Sequence, residues 1–251
     1  MKIVLKPLIA SFVLGVFLFS LSCVKAAGFP ASYYKIEDIE KQKEEFIKII
    51  KPFVEKNNEN IRAERAFVVD FFSKALADAF RGLSYKELGR LIALREKYGI
   101  RNLFDKDEFL KKIDEIPVSL ALAQSAIESG WGKSRFAREA NNLFGHWTFT
   151  GKGIIPEERE EGKTHMLRIF SSLQNSVNAY MLNLNKHASY EEFRAERLRA
   201  RVNNENFGGK QAALTMENYS ELRQEYVKKI QKVLSQNNLL YFDTKSKERQ
   251  N

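Results

Sequence analysis

From residue 35 to about residue 116, apolar positions recur at helical intervals on a charged, glycine-poor background. Ile36, Ile39, Phe46, Ile49, Ile50 and Phe53 form one stripe, and Phe67, Phe71, Phe72, Ala75, Leu76 and Phe80 form another. This is the pattern of helices that bury one face, and it reads as core packing without chemistry of its own. Ser84 with Glu87, and Asp105 with Glu108, stand at capping-box spacing, and Gly99 suits a helix stop. After Pro117 the pattern changes. Residues 118–129 carry apolar or small side chains on nearly every side and end at Gly130, which predicts a centrally buried helix. Residues 148–151 and 164–171 alternate like short strands around the charged turn 156–162, predicting one small hairpin. Residues 172–186, 189–202 and about 217–236 return to helical period, with Ser189 and Glu192 at capping-box spacing. The expected fold class is α+β, predominantly α-helical. A helical N-terminal region (27–115) precedes a second domain (116–240) and a short tail (241–251).

The first 26 residues belong to neither pattern. Lys2 and Lys6 precede an apolar run over residues 8–21, and small residues follow around Ala26. That is the layout of a secretory signal cut after Ala26, so the protein is expected to be exported to the periplasm or cell envelope. The alternative, an uncleaved anchor, is disfavoured because a spanning helix wants about 20 apolar residues.

Composition sharpens this division. The 251 residues are 44% hydrophobic and 29% charged, which excludes disorder over most of the chain. The net charge of +9 drops to +6 when the leader takes away Lys2, Lys6 and Lys25. Cys23, the sole cysteine, leaves with it, so a disulfide scaffold, a thiolate metal site and a cysteine nucleophile are excluded from the mature chain. His146, His165 and His187 lack helical ligand spacing, so no metal and no cofactor are expected. The cations are interspersed with acids, as over residues 194–201, so attraction to an anionic cell wall fits better than nucleic acid.

Eight of the thirteen glycines, both tryptophans and all three histidines lie between Gly130 and Gly209, and a site is to be sought there. Glu128 stands in the last turn of the apolar helix, facing the negative end of the helix dipole. The dipole and burial both raise a carboxyl pKa, and a carboxyl kept protonated near neutral pH is what a general acid for a glycosidic oxygen requires. Trp131 is a candidate apolar wall for it. The alternative is a Glu satisfied by Arg135 or Arg138.

The stretch Ala123-Gln-Ser-Ala-Ile-Glu128-Ser-Gly-Trp-Gly-Lys-Ser134, followed by Ala140-Asn-Asn-Leu-Phe-Gly145, resembles the signature of the peptidoglycan-hydrolysing glucosaminidases of flagellar and autolytic wall enzymes. Together with Tyr180-Met-Leu-Asn-Leu-Asn-Lys-His187 and the helical N-terminal region, it is similar to the Bax-like branch in particular. The resemblance covers about residues 116–240. It implies a lysozyme-like catalytic domain that cleaves after N-acetylglucosamine in peptidoglycan glycan strands, with Glu128 as general acid. It also implies a second acidic residue four positions before a glycine, which falls on Glu158. Glu157, Glu160 and Glu161 crowd the same turn, and a solvated tip is the alternative. His146-Trp147 departs from the Ile-Lys usual in relatives. Tyr219 takes the place of the family's tyrosine before the last helix, where a phenol orients an acetamido group or water without adding charge. Tyr226 is expected to face the core.

Trp131, Phe144 and Trp147 are candidates for stacking on sugars, with a core role equally open to Phe144. Asn141 and Asn142 either bind acetamido or hydroxyl groups or satisfy backbone in a turn. Water is activated by the second carboxylate, or the substrate's own acetamido oxygen attacks first. The competing functions are a lytic transglycosylase and a non-catalytic wall-binding module.

Overall fold

The computed structural model describes residues 28–150, 153–156 and 164–243. The predicted leader, the tail beyond residue 243, and Glu157, Glu158, Glu160 and Glu161 lie outside the described residues.

Apart from Ile36 and Phe80, the two N-terminal stripes fall on one 39-residue helix, α1 (Ile39–Ala77), about 58 Å long at 1.5 Å per residue. Asp38 caps it by accepting from Lys41 N at 2.8 Å. Phe46, Ile50, Val54, Ile61, Val68, Phe71, Phe72 and Ala75 are buried along it. The stripes' outer members depart from expectation. Ile39 and Leu76 are exposed, and Phe80 lies beyond the helix with its ring edge on Phe104. In α2 (Tyr85–Tyr98) the capping box forms in both directions, and Gly99 ends the helix in the left-handed conformation. In α3 (Lys106–Lys112) only half of the expected box forms. Asp105 accepts from Glu108 N at 2.9 Å, while the Glu108 carboxylate turns to Arg101 N at 3.2 Å.

Next comes α4 (Val118–Ser129), buried at every residue except Ile127 and Glu128. A short α5 (Arg135–Ala140) leads into the sheet. The sheet has three strands instead of the two expected: β1 (Trp147–Thr148), β2 (Gly153–Ile154) and β3 (Met166–Arg168). The chain leaves β1 and returns on the far side of β3, so β3 is central and antiparallel to both. Leu167 stands opposite Trp147 and Ile154.

The helical remainder is α6 (Leu173–Lys186), α7 (Glu191–Val202), α8 (Gly209–Leu214) and α9 (Gln224–Gln236). The Ser189–Glu192 box does not form. A 3-10 turn, Ala188–Tyr190, precedes α7, and Tyr190 at the N-cap gives no side-chain cap. The helix expected over about 217–236 is also divided. A 3-10 turn, Glu217–Tyr219, is separated from α9 by Arg223, whose φ of 44° is left-handed and incompatible with a running helix.

One continuous apolar core joins α1 to α4, α6 and α9. A buried charge cluster ties α1 and α7 to the segment before α4. Asp114 accepts from Arg201 Nε at 2.7 Å and Nη2 at 2.5 Å, with Arg65 Nη1 3.6 Å away. Arg197 donates to the carbonyls of Asp114 and Glu115, both at 3.0 Å. Asn58 of α1 locks the next residue through two bonds, to Ile116 O at 2.8 Å and from Ile116 N at 3.0 Å. No described helix is long and apolar enough to cross a membrane.

Candidate active site

The last turn of the buried helix α4 holds Glu128 half-buried, and its Oε1 accepts from the Tyr226 hydroxyl of α9 at 2.7 Å. That hydroxyl accepts from Gln124 Nε2 at 3.1 Å, one turn earlier on α4. Gln124 Oε1 in turn accepts from the Tyr180 hydroxyl of α6 at 2.6 Å. Every donor points the same way, from Tyr180 through Gln124 and Tyr226 to the carboxylate, so each bond polarises the next. Neither arginine considered from the sequence pairs with Glu128. Arg138 lies over the Tyr34 ring, and Arg135 donates to Ile155 O at 3.1 Å. Burial raises the Glu128 pKa above its ordinary value, offset in part by the Tyr226 bond and the Lys229 charge. Among the described residues nothing bonds Oε2, the oxygen left to carry a proton.

The surroundings of Glu128 are phenols. Tyr180 and Tyr219 are pushed well above the ordinary phenol range, first by burial and then by neighbours that include Glu128, so both stay neutral. Tyr219 stacks face to face on Tyr226 with centroids 5.4 Å apart and planes within 3°. In an unbroken helix residues seven apart are separated by about 10.5 Å along the axis. The left-handed break at Arg223 is what brings the two rings together. The Tyr219 hydroxyl donates to Phe144 O at 3.5 Å. Tyr226 is buried, as read from the sequence, and is also the phenol that reaches Glu128.

The turn after Glu128 explains the Ser-Gly-Trp-Gly spelling. Gly130, Trp131 and Gly132 take φ of 55°, 54° and 75° in succession. A Cβ on Gly132 would lie 2.7 Å from the Phe29 ring. The strain at Trp131, on the order of 1–2 kcal/mol for a side chain in this region, is held from the N-terminal region. Tyr33 OH and Gln42 Nε2 both donate to the Trp131 carbonyl, the latter at 3.3 Å. The Trp131 ring sets its edge on Phe46 at 5.5 Å, with Lys43 Nζ 5.6 Å over it. The structure therefore directs this ring toward α1.

A family model described as mannosyl-glycoprotein endo-beta-N-acetylglucosaminidase matches residues 107–239, more than half of the chain. The chain belongs to this glucosaminidase family. A similar relative is protein bax of Escherichia coli (strain K12), 32% identical over 165 residues. The alignment takes in 64% of this chain and 57% of the relative. No solved structure matches the chain. The glucosaminidase match runs from α3 to the end of α9, so it contains every donor of the chain leading to Glu128, while Tyr33 and Gln42 lie outside it.

The other candidate residues divide by environment. Asn141 and Asn142 are buried in the glucosaminidase turn after α5 and spend their amides on backbone. Asn141 donates to Phe170 O at 3.1 Å. Asn142 donates to His146 O at 2.8 Å and Arg168 O at 3.0 Å, and accepts from His146 N at 2.9 Å. Of the two sequence readings, this geometry is the turn-satisfying one. Phe144 is buried and stacks on Tyr180 at 3.9 Å. Trp147 is 54% exposed on β1, its ring 3.8 Å from that of His165. His146 is held neutral, its pKa lowered to about 4 by burial and then by the Arg168 charge. Glu158 lies outside the described residues. Neither the bond from Tyr226 to Glu128 nor the part of Gln124 behind it is visible in the sequence pattern, which reads Tyr226 only as a core residue. The signal for Gln124 was a lone amide in an apolar helix, one turn before the glutamate.

Proposed function

We propose that the protein is an exported endo-β-N-acetylglucosaminidase that hydrolyses the bond after N-acetylglucosamine in peptidoglycan glycan strands. Family membership supports a glucosaminidase in general. The observation that carries the finer reading is the half-buried Glu128, raised in pKa by burial and bonded by a neutral phenol through one oxygen only. Glu128 Oε2 donates its proton to the leaving glycosidic oxygen, and Tyr226 holds Oε1 and stabilises the carboxylate formed. A water oxygen then bonds to the anomeric carbon, either directly or after the substrate's acetamido oxygen, oriented by Tyr219, has closed on that carbon and been displaced again, and the proton this water releases returns to the Glu128 carboxylate. Exposed Trp147, paired with His165, offers a flat face for a sugar ring.

Digestion of purified peptidoglycan with identification of the new chain end tests this reading. A reducing N-acetylglucosamine end is expected, and Glu128→Gln is expected to abolish its appearance. An anhydromuramic end would replace the reading with a lytic transglycosylase. Absence of products across pH, with retained binding, would replace it with a wall-binding module.

A further inference from the structure

The helical N-terminal region does more than brace the Glu128 turn. Together with the far side of α6 it lines an open groove of about 850 Å³, within the size range of small-ligand sites. At about 100° per residue, Asn178 and Leu182 sit on the opposite side of α6 from Tyr180, so this groove lies behind the helix that feeds the Glu128 chain. Its walls come from α1, α2, the end of β3 and α6.

The chemistry of the walls is specific. Glu64, a carboxylate in the lining, is already spent on Lys97 Nζ at 2.6 Å and Tyr98 OH at 2.6 Å. Arg90 and Arg168 are different. Each guanidinium lies over an aromatic ring, Arg90 over Phe67 at 4.1 Å and Arg168 over Phe170 at 4.7 Å. Among the described residues neither has a carboxylate within ion-pair distance or a side-chain hydrogen bond. A guanidinium over a ring face leaves N–H groups that the ring does not satisfy, and these can take a carboxylate through two bonds.

Among the described residues, three asparagines of the same lining have amide capacity to spare. Asn57 donates only to Met181 Sδ at 3.1 Å, and Asn175 only to Ser171 Oγ at 2.6 Å. Asn178 only accepts, from Gln174 at 2.7 Å. An amide end that offers one donor or one acceptor matches a peptide group. The aromatic residues in the lining, Tyr98 and Phe170, are 1% and 3% exposed, so no ring face is open for a sugar or a nucleobase to stack on.

We infer that this groove binds a short acidic peptide, with its carboxylates on Arg90 and Arg168 and its backbone on the asparagine amides. The inference rests on the proposed wall substrate only for the source of such a peptide, namely the peptides that peptidoglycan carries on its glycan.

Calorimetric titration of the full chain with the probe N-acetyl-Ala-Glu-Lys-Ala, which has two carboxylates, tests it. Saturable binding is expected, weakened about tenfold by Arg90→Gln and by Arg168→Gln, the scale of one charge-assisted hydrogen-bonded contact. A comparable or larger loss is expected when both carboxylates of the probe are amidated. Arg90 is exposed on α2, so its variant reads binding with folding intact, checked by an unchanged melting temperature. Equal affinity for the amidated probe, or wild-type affinity in both arginine variants, would overturn the inference. So would displacement of the probe by an N-acetylglucosamine tetramer, which would put the peptide at the proposed sugar site around Glu128, or by equimolar inorganic phosphate, which would mean an unselective anion site. Glu128→Gln is expected to bind the probe as the unsubstituted protein does. If peptidoglycan yields no new ends while the probe still binds, the proposed activity falls and the groove stands.

Discussion

Two carboxylates flank the central helix α4, and their surroundings push them in opposite directions. Asp114, just before the helix, is pushed up by burial, yet Arg197, Arg201 and Arg65 override this and hold it below its ordinary value. Glu128, in the last turn, also loses hydration, but its polar neighbours are a neutral phenol and a more remote lysine charge, so burial wins. The same desolvation thus goes with a lowered carboxyl pKa where guanidinium groups converge and a raised one where tyrosines do. The number of positive charges within reach decides the outcome.

Asp114→Asn gives the largest expected effect on the fold. It leaves the arginine cluster without its anion, and the expected loss is about 3–5 kcal/mol of unfolding free energy by urea denaturation. Glu128→Gln should leave stability nearly unchanged and cost roughly 10²–10⁴-fold in turnover. A stability loss at Glu128 as large as that at Asp114 would erase the contrast. The pH dependences should also have opposite sign. The depressed Asp114 contributes stability that is present above its unfolded value near 3.9 and is lost as pH falls through its lower folded value. The raised Glu128 contributes stability below its unfolded value near 4.3 that is lost as pH rises through its folded value. Unfolding curves of the unsubstituted protein and Glu128→Gln across this range check the second sign.

Tyr226→Phe probes the smaller balance within the site. It removes the bond that favours the charged carboxylate, so the Glu128 pKa should rise further and carry the basic limb of the pH–rate profile to higher pH. Gln124 Nε2 loses its acceptor at the same time, costing about 1–3 kcal/mol of stability. A basic limb that stays in place would show that Tyr226 does not set the proton affinity. The mildest test is Gln42→Leu, which takes one of two donors from the Trp131 carbonyl. A loss of about 1 kcal/mol is expected, read as a lower melting temperature, with the pH profile where it was.

Much of the frame is legible in the chain because local chemistry decides it. Gly130 stops α4 where a left-handed residue is needed, and Ser84 and Glu87 cap α2 reciprocally. The apolar faces of α1 bury where period and packing agree, and fail at Ile39 and Leu76, which no element among the described residues covers. Contacts between distant segments are less legible. The Tyr226 hydroxyl finds Glu128 across 98 residues, through a backbone reversal at Arg223 that no glycine announces. Trp131, next to the glutamate in sequence, is drawn to Phe46 by a helix that starts 92 residues earlier. Asn141 and Asn142 look like ligand amides in a motif, yet the carbonyls they satisfy are largely supplied by the strand-to-helix segment around Phe170.

The central claim, that burial among neutral phenols makes Glu128 a proton donor while burial among arginines keeps Asp114 an anion, is most directly tested by carboxyl carbon NMR titration of both groups in one sample. The expected result is a Glu128 midpoint above the ordinary 4.5 and an Asp114 midpoint below the ordinary 3.8. A Glu128 midpoint at or below 4.5 would contradict the account.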